Sequence, residues 1–214
     1  MKFVAIFLLT GALLSASPIA SLVSAGNPVL ASNGEDVSPY GLTLNGTLYP
    51  VLCVDDKDWS SLNSPWNVNV TAISSGSFTN TYNPSEGLEY QEDAYLYSLI
   101  VQPAADRIDI QHAAWDIMDL DITSAAQVTT YETAGTLSSS DGAITYINQA
   151  ITGSKTMNFT GYDILSDTDT GRGRQQEFIV ATTPEPTTFT LLGAGLLLAC
   201  VGAARRKRAR VKVK

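Results

Sequence analysis

Apolar and polar residues alternate most clearly over residues 42–49, where Asn45-Gly46 separates two short alternating segments. Both central positions of a type I′ turn take positive φ, which Asn-Gly adopts with little strain, so this stretch predicts a β-hairpin. Its second strand is predicted to continue through residues 51–54, with Pro50 marking a sheet edge or a bulge.

Four further segments have the composition of strands. In the first of them, Val68, Val70 and Ala72 alternate with polar residues, which predicts that these three side chains share one face of a strand. The predicted strands cover residues 67–73, 77–82, 156–162 and 177–181.

Three segments have apolar residues at helical spacing instead. The clearest is residues 109–120, where four side chains recur at i, i+3, i+4 and i+7 and so form one face of a helix: Gln111, Ala114, Trp115 and Met118. Asp106 or Asp109 is expected to cap its start. The other predicted helices cover residues 89–101 and about 140–152. Strands that enclose a central helical insertion predict an α+β domain with an antiparallel β-sandwich or barrel-like core.

The N-terminal 25 residues have the pattern of a secretory signal peptide. Lys2 precedes the apolar residues 3–14, and the segment ends in the small-x-small sequence Val23-Ser24-Ala25. Cleavage is predicted after Ala25, with Ala31 as an alternative. An uncleaved anchor is the other interpretation, although the apolar stretch is short for one.

The C-terminal residues predict a membrane anchor. Residues 183–188 contain Pro184-Glu185-Pro186, an extended spacer that resists helix formation because proline fixes φ and lacks an N–H. The uncharged residues 189–204 predict a single transmembrane helix, which is short but can be extended by snorkelling basic side chains. Residues 205–214 carry a basic cluster that begins Arg205-Arg206 and is expected on the cytoplasmic side.

This order of Pro-Glu-Pro, short apolar helix and arginine cluster resembles the PEP-CTERM sorting signal. The resemblance implies a protein that is exported, held in the membrane as an intermediate, and cut near Pro184, Glu185 and Pro186 by an exosortase-type sorting protease. Its destination is then the cell surface or the extracellular space. An ordinary single-pass anchor is the alternative, but such an anchor needs no Pro-Glu-Pro.

Charge divides the chain into two unlike parts. The whole chain has a formal charge of −8, but the tail holds seven of the 13 basic residues, and Lys2 lies in the predicted signal peptide. The body between them has five basic residues and all 21 acidic ones, hence −16. Such a body repels nucleic acid, which is excluded as a partner. Residues 26–182 are long enough for one domain with its own core.

Cysteine usage isolates one residue. The chain has two cysteines, and Cys200 lies in the C-terminal apolar run. Cys53 is therefore the only thiol of the exported domain and has no partner for an internal disulfide. In an oxidising compartment such a thiol is buried, bonded to another chain, or chemically committed.

Two short motifs resemble the thioester domains of bacterial surface adhesins. Leu52-Cys53-Val54 matches their cysteine motif, and Gln111, Ala113 and Trp115 match their Gln-x-Ala-x-Trp motif, whereas Ile110 and Ala114 depart from the usual residues. The resemblance implies that Cys53 and Gln111 condense to an internal thioester with loss of ammonia. Trp115 is expected to cover the bond. The neighbouring His112 is expected either to move the proton or to lie at the surface.

Other interpretations of these residues stay open. Cys53 can be a small buried core residue beside a helix-start amide, or Cys53 and His112 can form a hydrolytic dyad, for which no orienting residue is evident. The sequence Asp167-x-Asp169-x-Gly171 resembles the start of a calcium loop but lacks its downstream glutamate. No metal and no cofactor is predicted.

The predicted function is therefore an exported cell-surface or extracellular-matrix protein, not a turnover enzyme. It is expected to bind covalently to an amine-bearing protein through the thioester. The alternative is a non-covalent structural or polysaccharide-binding matrix protein.

Overall fold

Six strands form a closed antiparallel barrel at the centre of the molecule. The computed structural model describes residues 17–25, 36–137, 141–169 and 174–182. Around the barrel the strand order is β1-β2-β3-β6-β5-β4. The strands are β1 (Ile19–Ser24), β2 (Tyr40–Leu44), β3 (Thr47–Cys53), β4 (Pro65–Ala72), β5 (Tyr162–Asp167) and β6 (Phe178–Ala181). The predicted α+β class and barrel-like core are confirmed.

Helices fill the connection between β4 and β5, as the predicted helical insertion requires. They are α1 (Gly87–Ile100), α2 (Arg107–Leu120), α3 (Ala125–Ala134) and α4 (Asp141–Gly153). Single 3-10 turns follow β4 at Ile73–Ser75 and α4 at Ser154–Thr156. Asp106 occupies the N-cap position of α2, but its side chain makes no capping hydrogen bond, so the predicted aspartate cap at this position is wrong.

The β2–β3 hairpin forms as predicted. Asn45 and Gly46 connect the strands with φ values of 50° and 82°, the positive pair that a type I′ turn requires. Pro50 pairs with Gly41 of β2, whereas pairing with β6 begins only at Val51. The missing N–H of Pro50 therefore falls before the stretch of β3 that is bonded on both sides.

Two strand predictions need correction. Residues 77–82 form turns, because Phe78 stacks on Tyr90 of α1 and its carbonyl accepts hydrogen bonds from the backbone N–H and hydroxyl of Thr81. Residues 156–162 are not a strand, since β5 begins only at Tyr162. In β4 the predicted strand forms, and its alternating apolar face is buried at Val68 but 41% exposed at Val70.

The core has two parts. Inside the barrel, ten buried side chains form one cluster: Ala20, Leu22, Tyr40, Leu42, Val51, Cys53, Val68, Leu165, Phe178 and Val180. A larger cluster fills the space between the barrel and the helices, and Leu52 of β3 belongs to it. Because successive strand residues point to opposite faces, Cys53 faces the barrel interior while Leu52 faces the helices. The end of β3 thus lies where the two clusters meet.

β1 was not predicted, and it lies inside the segment predicted to be a signal peptide. It pairs with β2 on one side and β4 on the other. Ala20 and Leu22 point into the barrel and are buried. In the described structure, therefore, residues 19–24 are a strand of the domain. Removal of residues 1–25 takes this strand away.

The predicted C-terminal features lie outside the described residues. These are the spacer at residues 183–188, the transmembrane helix at residues 189–204 and the basic tail at residues 205–214. Among the helices that the structure describes, none has the length and apolar character needed to cross a bilayer.

Candidate functional site

Cys53 and Gln111, far apart in sequence, meet in the folded chain. Cys53 is the last residue of β3, and Gln111 lies in the second turn of α2. Both residues are fully buried. The Gln111 side-chain amide donates a hydrogen bond of 2.6 Å from Nε2 to the backbone oxygen of Cys53. The carboxamide of Gln111 is therefore held against the cysteine residue itself, in a site closed to water.

Ser38 fixes the other side of this arrangement. Its backbone N–H donates to Oε1 of Gln111 over 3.1 Å, and its hydroxyl oxygen accepts from the backbone N–H of Cys53 over 2.9 Å. The carboxamide is thus bonded at both its nitrogen and its oxygen, which leaves it little freedom to rotate. The Ser38 N–H also polarises the Gln111 carbonyl, because it donates to the oxygen on which negative charge develops during attack at the carbon.

The Cys53 thiol is neutral in this state. The pKa of Cys53 is raised to about 12, mainly by burial and also by the nearby carboxylates of Asp55 and Asp56, against the opposing effect of hydrogen bonding. The thiol donates to the backbone oxygen of Asp55 over 3.1 Å. A thiol held this way is a poor nucleophile by itself. It reacts only with a group that is already in place and that takes its proton as the bond forms.

Trp115 lies beside Cys53 and lines a neighbouring cavity. Its indole N–H faces the thiol closely enough to lower the pKa of Cys53, although no hydrogen bond of standard geometry forms at Trp115 Nε1. The same side chain lines a cavity of about 430 Å³. Trp115 therefore stands between this cavity and Cys53.

The cavity has aromatic and acidic walls. Tyr40 and Trp59 line it beside Trp115, and Asp36 and Asp56 contribute carboxylates. The Trp59 side chain is 79% exposed at the rim. Leu22 and Ala25 complete the wall from β1 and the residue after it. A cationic or hydroxyl-rich group is favoured in such a space, because carboxylates and aromatic faces both attract it.

His112 is half-buried beside Trp115 and makes no hydrogen bond to Cys53 or Gln111 among the described residues. Its ring lies 5.7 Å from that of Trp115. Within the described part of the chain it makes no hydrogen bond to Cys53 or Gln111, whose polar atoms are bonded to Ser38, Asp55 and each other. The arrangement does not bring together the Cys53–His112 pair that a hydrolytic dyad requires.

A buried glutamate supports the strand that carries Cys53. The backbone oxygen of Glu177, just before β6, accepts from the N–H of Val54 over 3.0 Å. Its carboxylate accepts from the Tyr90 and Ser166 hydroxyls and, over 3.1 Å, from the N–H of Tyr82. Burial raises the pKa of Glu177 to about 6. Sequence reasoning missed both Ser38 and Glu177, because neither belongs to a motif.

A second group of acids lies on α1. Asp93 is fully buried, and neither of its carboxylate oxygens has a hydrogen-bond partner. Burial raises the pKa of Asp93 well above its ordinary value, and the neighbouring Glu92, Glu89, Glu86 and Glu177 raise it further. Within the described ranges no group of three or more histidine, cysteine or acidic residues is placed to hold a metal ion.

In the described part of the calcium-like sequence, Asp167 accepts backbone hydrogen bonds through both carboxylate oxygens. Oδ1 of Asp167 accepts from the backbone N–H of Asp169 over 2.9 Å, and Oδ2 accepts from that of Gln175 over 2.9 Å. Both oxygens are thus engaged by the loop, and Gly171 lies outside the described residues.

Residues 182–208 match the PEP-CTERM protein-sorting motif. The motif implies export, a membrane-held intermediate and processing by an exosortase, a membrane protease. No curated protein matches the chain.

The chain is also similar to three solved domains, each 12% identical to it. The first is the N-terminal domain of the Streptococcus pyogenes pilus tip adhesin Cpa, with a TM-score of 0.47 over 81% of this chain and 97% of that one. The second is the N-terminal thioester domain of the fibronectin-binding protein SfbI from Streptococcus pyogenes, with a TM-score of 0.39 over 78% and 94%. The third is the N-terminal thioester domain of a Clostridium perfringens surface protein, with a TM-score of 0.42 over 78% and 99%. The sorting-signal resemblance drawn from the sequence is confirmed by the motif match at residues 182–208.

Proposed function

We propose that this exported protein forms an internal thioester between Cys53 and Gln111 and spends it once to bond covalently to a partner. One observation carries the proposal: the Gln111 carboxamide is bonded to the Cys53 backbone and to the Ser38 N–H inside a fully buried site. A hydrogen bond thus joins the Gln111 carboxamide to the residue that bears the thiol. Proximity and exclusion of water supply much of what such a condensation needs.

The bond-forming step balances without an outside reagent. Sγ of Cys53 attacks Cδ of Gln111, and the carbonyl electrons move onto Oε1, where the Ser38 N–H stabilises the charge. The C–N bond then breaks. Nε2 leaves as ammonia and takes the proton that the thiol gives up. Because the pKa of Cys53 is raised, the thiol still holds its proton when the attack begins, and the proton is transferred to Nε2 within the same step.

The partner opens the thioester. An amine attacks Cδ of Gln111, the C–S bond breaks, and the products are a substituted amide at Gln111 and a free Cys53 thiol that regains a proton. The cavity beside Trp115 offers a route to the bond, and the carboxylates of Asp36 and Asp56 favour cationic amines over anions there. Each molecule reacts once, which describes a covalent adhesin and not a turnover enzyme.

Non-covalent binding of a polysaccharide is the second candidate function. It is favoured by the exposed Trp59 beside the carboxylates of Asp36 and Asp56, since sugar rings stack on aromatic faces and their hydroxyls donate to carboxylates. This function uses the same cavity and needs no reaction at Cys53. The Cys53→Ala variant therefore distinguishes the two candidates, because only the covalent function needs the thiol.

Methylamine is expected to add to the exported protein at Gln111. A small amine reaches the cavity and replaces the partner, so incubation adds one methylamine per chain and frees Cys53 for alkylation by iodoacetamide. Peptide mass spectrometry locates both changes. Cys53→Ala serves as the control and is expected to take up none. Wild-type protein that keeps its mass, with Gln111 unmodified, contradicts the proposal.

A further inference from the structure

β1 has the contacts of an integral strand. It is bonded to two neighbours, with Ala20 opposite both Leu44 of β2 and Trp66 of β4. Without it the barrel opens, and β2 and β4 each present an unpaired edge. Such edges are sites of aggregation, which folded proteins avoid.

Contacts outside the strand pairing show the same fit. Asn45, at the hairpin turn, donates its N–H to the Ile19 oxygen over 2.8 Å and accepts from the Ile19 N–H at its side-chain oxygen over 3.0 Å. The N–H of Asn63 donates to the Leu22 oxygen over 2.7 Å, and that of Gly41 to the Ser24 hydroxyl over 3.1 Å. In all four bonds the partner of β1 is Asn45, Asn63 or Gly41, which belong to the part of the chain that follows residue 25. Loss of β1 removes all four of these bonds at once.

β1 also closes the surroundings of Cys53. Ala20 and Leu22 belong to the same buried cluster as Cys53. Leu22 and Ala25 line the cavity in which Trp115 stands. A barrel without these residues exposes the interior beside Cys53 to water. A thiol or a thioester at this position is then open to solvent.

We propose that export leaves residues 18–25 on the mature protein as the first strand of its domain. The leader is removed by hydrolysis of one peptide bond, with one water consumed, N-terminal to Pro18 and not after Ala25. The sequence allows this, because the apolar run of residues 3–14 is followed at once by the small residues Ser15, Ala16 and Ser17. The proposal does not depend on the thioester, since it rests on strand pairing and burial.

Sequencing the N-terminus of the exported full chain tests this directly. A first residue at or before Pro18 supports the proposal, whereas a start at Gly26 or Ser32 overturns it. The N-terminal residue can be identified whether or not a thioester has formed. This result is therefore independent of the test of the thioester.

A matched pair of variants gives a second readout. Leu22 is 4% exposed and points inward, whereas the neighbouring Val23 is 38% exposed. If β1 is retained, Leu22→Asp lowers the unfolding temperature of the exported protein by about 10 °C or prevents its recovery, because it buries a charge, while Val23→Asp has a much smaller effect. If the leader ends at Ala25, both changes are discarded with it. Exported variants with the mass and unfolding temperature of the wild type contradict retention.

Discussion

Gln111→Glu is expected to abolish methylamine capture completely. The glutamate side chain has nearly the same shape, but it carries no amide nitrogen to leave as ammonia and cannot donate to the Cys53 oxygen as Gln111 does. An ionised carboxylate also resists attack by a thiol at its carbon. The variant is therefore expected to have its full sequence mass and a free Cys53, as measured by mass spectrometry before and after methylamine.

Gln102→Glu is the matched control. This glutamine is exposed beyond the end of α1, and its side-chain amide donates to the Ser98 oxygen. The same chemical change there is expected to leave capture intact. Cys53→Ala separates loss of chemistry from loss of fold, because alanine fits the buried position while Gln111 keeps its bond to Ser38. Capture of methylamine by Gln111→Glu at the wild-type level contradicts the assignment of Gln111.

The unfolding temperature of the domain is expected to fall by about 5–10 °C as the pH rises from 5 to 8. The main contribution comes from the acids of α1 and from Glu86, the residue before it, with a smaller one from Glu177. Burial raises the pKa of Glu92 to about 8 and that of Glu86 to about 7, and burial raises the pKa of Asp93 well above its ordinary value. The folded chain therefore keeps protons that the unfolded chain releases between about pH 4 and 5. The stability that these retained protons contribute is fully present below that range. It is lost as the pH rises through the pKa values of the folded state.

Asp93→Asn is expected to remove much of this dependence. Asparagine resembles the protonated acid, has no charge to bury and can donate to the neighbouring carboxylates. The unfolding temperature is expected to rise by about 5 °C at pH 8 and to change little at pH 5. Lys155 is the cation that acts on Glu92, and it is unchanged in this variant. Glu132→Gln, on the exposed side of α3, is the control and is expected to leave the pH profile as it is. A variant that follows the wild-type pH curve contradicts the role of Asp93.

Local signals in the sequence predicted much of the fold. The Asn45-Gly46 turn is such a signal, because the positive φ values at its two positions depend on the preferences of these two residues and not on distant contacts. The spacing of α2 is another. α3 escaped prediction because only Val128 among its residues is buried, which leaves no apolar stripe to recognise.

The remaining errors come from contacts between distant parts of the chain. Residues 77–82 have the composition of a strand, yet the N–H of Tyr82 is bonded to Glu177, 95 residues away, and the segment turns instead. β1 was missed because its apolar residues fit a leader as well as a strand. Only the pairing with β2 and β4 distinguishes the two.

The sequence predicted the two central residues of the candidate site but not the residue that holds them in place. Cys53 and Gln111 belong to motifs, so their pairing could be inferred from the sequence. Ser38 contributes a backbone N–H and a hydroxyl whose positions depend on the folded barrel, and no pattern around it indicates this role.

The intact mass of the untreated exported protein tests the central claim most directly. The thioester predicts a chain lighter than its sequence mass by one ammonia, about 17 Da, with Cys53 resistant to alkylation in the unfolded protein before any amine is added. Sequencing fixes both ends of the mature chain, so the comparison does not depend on where the leader and tail are cut. A chain of full mass whose Cys53 is alkylated as soon as the protein unfolds contradicts the claim.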